Sequence, residues 1–146
     1  MSSFKGSYTY AVDDKGRVSL PAKLRKYVSP DANETFVITR GFERCLFVYP
    51  VDEWNKMEQN LRTLSSYDPQ HRRFIRALLE LAAEGQLDGQ ARLSIPQELR
   101  DYAGIRSEVR IIGTLDKIEL WDPKVYEEYK DSQPEPYESI AAKVMR

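Results

Sequence analysis

Residues 13–27 of the chain read DDKGRVSLPAKLRKY, and residues 88–102 read DGQARLSIPQELRDY. The two segments share Asp, Arg, Ser, Pro, Leu, Arg and Tyr at a constant offset of 75 positions. A looser match continues at an offset of 73, from 36–38 with 109–111 to Pro50 with Pro123. Because self-similarity at a fixed spacing indicates a repeated structural unit, the sequence predicts one small module present in two copies.

Each copy has the pattern of strand, tight turn, strand, short helix, strand, turn and strand, which predicts a mixed β fold with short helices. In the first copy we expect strands at 7–12, 17–20, 35–39 and 45–49, and a helix at 22–27 that Pro21 opens. In the second we expect a helix at 97–102 and strands at 108–113 and 117–121. The two extra residues of copy one are expected in the loop 29–33, since loops absorb insertions at low cost.

The segments outside the two copies read as helical or loosely ordered. Apolar residues at helical spacing predict amphipathic helices at 52–64 and 69–83. The tail from Asp131 is polar and interrupted by proline, so we expect it to be loosely ordered, with a short helical turn or two at 140–145. The expected organisation is a first module at 5–52, a helical connector at 53–83, a second module at 84–127 and a tail at 128–146.

The charge of the chain is balanced overall but uneven along its length. Its 146 residues carry a net charge of −1, which taken globally argues against a nucleic-acid binder. Residues 1–28, however, hold six Lys and Arg against two Asp, a local charge of +4. Because attraction to phosphate depends on the field at the contacting face, the N-terminal part remains a candidate for binding nucleic acid.

The most informative pattern is the pair of turns Asp13-x-x-x-Arg17 and Asp88-x-x-x-Arg92. Across a tight turn the carboxylate can accept hydrogen bonds from turn N–H groups and from the guanidinium, which orders the loop. An ordered arginine can read phosphates or guanine edges. The alternative is that Asp and Arg only stabilise a β-turn. Repetition of exposed arginines favours a binding role, more strongly for Arg17 than for Arg92.

With these elements the chain resembles the MraZ family of bacterial transcriptional regulators, which have two tandem AbrB-like (SpoVT-AbrB) domains. The resemblance rests on 4–8 (FKGSY), on 14–17 and 20–25, on 88–100, and on 118–123 (IELWDP). It implies a pseudo-twofold, swapped-hairpin β-barrel built from both halves, and ring-like homo-oligomers. It also implies binding, chiefly as a repressor, to short direct repeats in the promoter of the cell division and cell wall operon.

The resemblance implies that Lys15 and Arg17 contact double-stranded DNA. The full set of candidate DNA-binding residues is Lys15, Arg17, Lys23, Arg25, Arg92 and Arg100, and the residues expected to order the loops are Asp13, Asp14, Gly16 and Asp88. The second copy has Gln90 and Ala91 in place of Lys15 and Gly16, so its share of DNA contact is left open. Repeated basic loops on a ring would offset the low net charge through multivalency.

Other classes of function have weaker support in the sequence. His71 is the single histidine and lies among basic residues, no His/Cys spacing suits a metal and no Gly-rich loop suits a phosphate. We therefore expect no enzyme, cofactor, metal or small-molecule substrate. A protein-binding, antitoxin-like module that uses the tail 131–138 is the remaining alternative.

Cys45 is expected to be a buried, inert thiol. With no membrane span or export signal in the sequence, we expect a cytoplasmic, nucleoid-associated protein.

Overall fold

The computed structural model describes residues 2–145 and contains strands and helices in an order that repeats along the chain. The strands are β1 (Ser7–Ala11), β2 (Arg17–Ser19), β3 (Thr35–Arg40), β4 (Leu46–Pro50), β5 (Ala83–Gln86), β6 (Arg92–Ser94), β7 (Glu108–Gly113) and β8 (Ile118–Trp121). The helices are α1 (Ala22–Arg25), α2 (Val51–Leu61), α3 (Pro69–Leu79), α4 (Gln97–Ala103), α5 (Pro123–Ser132) and α6 (Tyr137–Val144). A 3-10 turn, Pro30–Ala32, lies in the loop that lengthens copy one.

Six strands form one antiparallel sheet in the order β1-β7-β8-β4-β3-β5, and β2 pairs with β6 in a separate two-stranded ribbon. The first strand of each copy pairs with the other copy: β1 with β7, and β5 with β3. The registers are equivalent under the repeat offsets, because Tyr8 opposite Ile111 corresponds to Ala83 opposite Ile38. Both copies are therefore needed to complete the one sheet.

The sheet described within residues 2–145 is not closed, so the expected barrel is wrong for this chain. Its edges are β1 and β5, which do not pair with each other. The reason is local: the chain leaves each edge strand through a tight turn into β2 or β6, and these three-residue strands pair with one another. The strands β2 and β6 thus pair within the ribbon, and the outer edges of β1 and β5 do not meet.

Side chains alternate between the two faces of the sheet, as the period of a strand requires. One face packs against the ribbon and against Leu24 and Leu99 of the short helices α1 and α4. The other face is covered by α2 and α5, which place Trp54 and Tyr126 beside Trp121 and its neighbours. The ribbon therefore lies on the first face of the sheet, and the longer helices α2 and α5 lie on the second.

Two expected segments differ from the observed ones. The helix expected at 69–83 ends at Leu79, and Ala83–Gln86 is strand β5. Its residues have low strand propensity, but β3 supplies hydrogen-bond partners along an edge. The tail from Asp131 is more ordered than expected, because Asp122 caps α5 by accepting from the N–H groups of Lys124 and Val125, and α6 begins directly after Pro136.

Candidate nucleic-acid interface

The ribbon turns one polar row outwards. Its register pairs Arg17 with Ser94 and Ser19 with Arg92, on either side of the pair formed by Val18 and Leu93. Val18 and Leu93 are buried in the core, and successive side chains of a strand point to opposite sides. The outer side of the ribbon therefore carries Arg17, Ser19, Arg92 and Ser94, which represent the two positions that are identical between these repeated strands.

The turn before β2 is organised by Asp13. Its Oδ1 accepts hydrogen bonds from the N–H groups of Lys15 (3.0 Å) and Arg17 (2.8 Å), and its Oδ2 accepts one from Arg17 Nε (2.7 Å). The backbone closes the same turn, since Gly16 N–H donates to the Asp13 carbonyl at 2.9 Å. The guanidinium of Arg17 is thus held by its inner edge, while its outer Nη groups make no hydrogen bond within residues 2–145.

The second turn repeats this geometry. Asp88 Oδ1 accepts from the N–H groups of Gln90 (2.8 Å) and Arg92 (2.9 Å), and Oδ2 accepts from Arg92 Nε (2.8 Å). In addition, Arg92 Nη1 lies 3.6 Å from Asp13 Oδ2 of the first turn. The carboxylate of Asp13 therefore faces both arginines, and the two turns form one continuous site, which we call the Asp–Arg ribbon (Asp13, Arg17, Ser19, Asp88, Arg92 and Ser94).

Both turn carboxylates are held in the charged form. The pKa of Asp13 is lowered chiefly by the hydrogen bond from the Arg17 backbone N–H, and then by the Arg17 guanidinium and the Lys15 N–H. The pKa of Asp88 is lowered chiefly by the Arg92 backbone N–H. Because these bonds favour the ionised form of the acceptor, the carboxylates remain charged beside the arginines throughout the neutral range.

This cause predicts a pH dependence confined to acid. With a pKa lower in the folded chain than in the unfolded one, each carboxylate adds its full stabilisation above the unfolded pKa and loses it as the pH falls through the folded pKa. We therefore expect turn order to be constant from neutral pH to about pH 5 and lost only below about pH 4. Carboxyl chemical shifts of Asp13 and Asp88 in an NMR titration would measure this, and a midpoint above the unfolded-chain value would contradict it.

The glycine of the first turn is favoured by its backbone and required by its surroundings. Gly16 has φ of +77°, and a Cβ there would lie 2.6 Å from Cζ of Arg100. Arg100 itself is fixed, because its Nε donates to the Ile95 carbonyl at 3.0 Å. Its repeat counterpart Arg25 donates in the same way to Leu20. The structure therefore places Arg100 against the first turn and ties each arginine to a carbonyl just after a ribbon strand, and their contact with DNA stays a prediction.

Ala91 occupies the position of Gly16 in the second turn with φ of +57°, although it is not glycine. A left-handed backbone costs an L-residue about 1–2 kcal/mol, and glycine loses about 0.5–1 kcal/mol through its own flexibility. We expect Ala91→Gly to raise the free energy of unfolding by about 0.5–1 kcal/mol, as measured by urea denaturation. Gly16→Ala should lower it by more than about 1 kcal/mol.

Gly89 offers a matched control for these two substitutions. A Cβ at Gly89 meets nothing within 4 Å, and its φ is not in the left-handed region. Gly89→Ala should therefore leave stability unchanged or slightly raised. A loss of stability in Ala91→Gly would show that strain at this position is not what limits the second turn.

The other candidate residues are placed less centrally. Lys15 and Lys23 are exposed beside the turn and make no ion pair within the described part of the chain. Asp14 is exposed, and the hydrogen bonds that order the turn are made by Asp13. Sequence analysis did not find the contact of Arg92 with Asp13. The identity of Ser19 and Ser94 between the copies was a signal for the outer row of the ribbon, but no pattern in the sequence linked the two turns.

His71 and Cys45, which were considered for other chemistry, make contacts that belong to the fold. His71 Nδ1 accepts a hydrogen bond from Ser65 N–H (3.0 Å) at the start of α3. The thiol of Cys45 is buried, and burial raises its pKa to about 12. Within residues 2–145 no group of His, Cys, Asp and Glu is arranged to hold a metal ion. None of the helices described there is long and apolar enough to cross a membrane.

Two comparisons with known proteins cover both copies. The family model described as "MraZ protein, putative antitoxin-like" matches residues 3–77 and again residues 78–145. A protein of Halothermothrix orenii named "Transcriptional regulator MraZ" is 45% identical over 139 residues, which cover 95% of this chain and 94% of that protein.

Proposed function

The chain belongs to the MraZ family, and from this premise we propose that it is a transcriptional regulator that binds double-stranded DNA through the Asp–Arg ribbon. The name of the relative describes a regulator of transcription, in agreement with the expectation that the chain is not an enzyme. The observation that carries the proposal is the pair of outward arginines, each fixed by an aspartate along its inner edge.

The shape and chemistry of the ribbon suit the major groove of DNA. That groove admits a two-stranded β-ribbon, and an arginine there can donate two hydrogen bonds to the O6 and N7 atoms of guanine. The Nη groups of Arg17 remain available for such contacts while Nε is held by Asp13. Fixing the side chain before binding reduces the rotamer entropy that binding would otherwise cost. The hydroxyls of Ser19 and Ser94 can donate or accept beside them.

The neighbouring lysines fit a different task. Lys15 and Lys23 are flexible, exposed ammonium groups, which suit the phosphate backbone rather than base edges. The second turn has Gln90 where the first has Lys15, and Arg92 divides its charge between Asp88 and Asp13. We therefore propose that the first turn provides more of the affinity, so that Arg92→Ala weakens binding less than Arg17→Ala.

The finer features implied by the family form part of the same proposal. We propose that the chain represses the cell division and cell wall operon by binding direct repeats in its promoter, as a ring-like homo-oligomer associated with the nucleoid. We also propose a pseudo-twofold, swapped-hairpin relation between modules at 5–52 and 84–127, with a connector at 53–83 and a tail at 128–146. The exchanged pairing of β1 and β5 supports that relation.

The experiment that tests the proposal is footprinting of the purified protein on the DNA upstream of its own gene. We expect protection of short, regularly spaced sites, with an affinity that falls as salt increases because bound phosphates release counterions. A fragment of the same composition with scrambled sequence is the control. Equal protection of both fragments, or of neither, would contradict sequence-specific binding. Absence of binding together with a co-purifying protein would favour the antitoxin-like alternative.

A further inference from the structure

A cavity of about 540 Å³ lies between helix α1, the loop that follows it and the end of strand β5. Val28, Phe36 and Leu87 give the cavity apolar walls, and Phe36 is fully buried. Arg25 and Lys26 line it as exposed cations. Pockets of about 300–1,000 Å³ that combine apolar walls with a few polar or charged groups are typical binding sites for small molecules. The cavity therefore has the size and the chemistry of a site for a small anion with an apolar body.

The two cations of the cavity are not neutralised within residues 2–145. Arg25 donates through Nε to the Leu20 carbonyl at 3.0 Å, and its Nη groups make no hydrogen bond in that part of the chain. Lys26 Nζ lies 5.2 Å from the centre of the Tyr27 ring, and neither cation forms an ion pair there. Glu34 lines the same cavity without pairing with them. Two unpaired cations against one carboxylate beside apolar walls favour an anionic ligand.

The chemistry of the cavity belongs to the first copy. Its loop is the one that lengthens copy one and contains the 3-10 turn Pro30–Ala32. In the second copy, Asp101 stands at the repeat position of Lys26, and Val109 stands at that of Phe36. The charge at one position is thus reversed, and the side chain at the other is smaller. The structural needs that both copies share do not account for these differences, which suit a role that only copy one has.

The cavity is joined to the second turn of the Asp–Arg ribbon through the backbone. The Leu87 N–H donates to the Glu34 carbonyl at 3.2 Å, and Leu87 directly precedes the second turn. On the other side, Leu20 accepts from Arg25 Nε and donates through its own N–H to the Ala91 carbonyl at 3.0 Å. A ligand in the cavity would therefore contact residues that are bonded directly to, or adjacent to, the second turn.

We propose that this cavity binds a small amphipathic anion, with a carboxylate or phosphate group at Arg25 and Lys26 and an apolar body against Phe36 and Leu87. Its binding weakens the binding of DNA, because the anion lowers the positive potential beside the ribbon and occupies Arg25, which is a predicted DNA contact. This regulatory effect rests on the proposed function, whereas the binding of the anion does not. The phosphates of DNA have the same charge but no apolar body, so the apolar walls distinguish the two sources.

The first test is a calorimetric titration of the full-length protein with naphthoate and with naphthyl phosphate. Each anion is expected to saturate one site per chain with a Kd below about 1 mM, as suits ligands of this size. Uncharged naphthamide has the same ring and is expected to bind at least about tenfold more weakly, because it cannot pair with the cations. Absence of saturable binding by both anions, or equal binding of the amide, would overturn the proposal.

Substitutions then locate the bound anion. Lys26→Gln removes an exposed cation and is expected to weaken naphthoate binding at least about tenfold. Lys23→Gln is the matched control, because Lys23 lies on the same helix but does not line the cavity. Ala22→Phe fills part of the cavity and should weaken all three ligands, whereas Gln97→Phe places the same ring at the repeat position of copy two and should not. Circular dichroism checks each fold. Wild-type binding by both cavity variants would place the ligand elsewhere and overturn the proposal.

The second test measures DNA binding while the cavity is occupied. Saturating naphthoate is expected to lower the affinity for a DNA with one repeat at least about tenfold, and Lys26→Gln should shift this effect to higher naphthoate concentrations. Sodium phosphate at the same ionic strength is the control for an anion without an apolar body. Unchanged DNA affinity at saturation, or equal inhibition by sodium phosphate, would overturn the regulatory role. If naphthoate binds in the cavity but the protein does not bind DNA, the site stands and the proposed function falls.

Discussion

Arg17→Ala is expected to abolish specific binding to promoter DNA, with a loss of affinity of at least about 100-fold. A bidentate arginine contact with a base contributes about 1–3 kcal/mol, and an oligomer that engages several repeats loses one such contact at each of them. The free energy of unfolding should change by no more than about 0.5 kcal/mol, because the substitution lies outside the core. Filter binding and urea denaturation of the same preparations would measure both quantities.

Lys124→Ala is the matched control for the loss of one positive charge. Lys124 is exposed on α5, which covers the opposite face of the sheet from the ribbon. Its removal should change affinity only slightly, through the overall field. Arg17→Ala with wild-type affinity would show that the Asp–Arg ribbon does not contact DNA.

Asp13→Ala then distinguishes the two effects that a carboxylate can have beside the arginine. The arginine remains, but it loses the acceptor that holds its Nε and two backbone N–H groups. We expect weaker binding, because the guanidinium must be ordered at the moment of contact. Tighter binding would mean that repulsion between the carboxylate and phosphate dominates.

The second large effect concerns the number of DNA repeats. The chain carries a net charge of −1, and the arginines of each ribbon are partly neutralised by their aspartates. A single site should therefore bind weakly, whereas an oligomer can hold several sites at once. We expect affinity to rise at least about 100-fold from one repeat to three, far above the roughly threefold statistical gain.

The measurement is a titration of DNAs that carry one, two or three correctly spaced repeats, at two salt concentrations. The fall in affinity with salt should be steeper for three repeats than for one, because more phosphates are neutralised. Equal affinity for one and three repeats would contradict the multivalent mechanism while leaving simple DNA binding intact.

Local features of this fold were correctly predicted from sequence. The turns are an example, since every hydrogen bond that Asp13 accepts comes from within the next four residues. Pro21 and Pro96 open short helices for the same reason, as they act on the residues that follow them. These features depend on backbone and side-chain groups that are close in the chain, and their chemistry is visible in the residue order.

Only the tertiary structure decided how the two copies combine. The sequence contained both ribbon strands, but it did not show that β2 pairs with β6 or that Arg92 reaches Asp13 in the other turn. The predicted helix extended to residue 83 and no strand was placed at Ala83–Gln86, because these residues have little strand preference until β3 supplies their hydrogen-bond partners. The closed barrel was wrong for the same reason. These strands lie about 75 residues apart, and their pairing is selected by the burial and hydrogen bonding of the whole sheet. The alternating pattern within one strand does not reveal its partner, because that pattern is the same for every partner the strand could take.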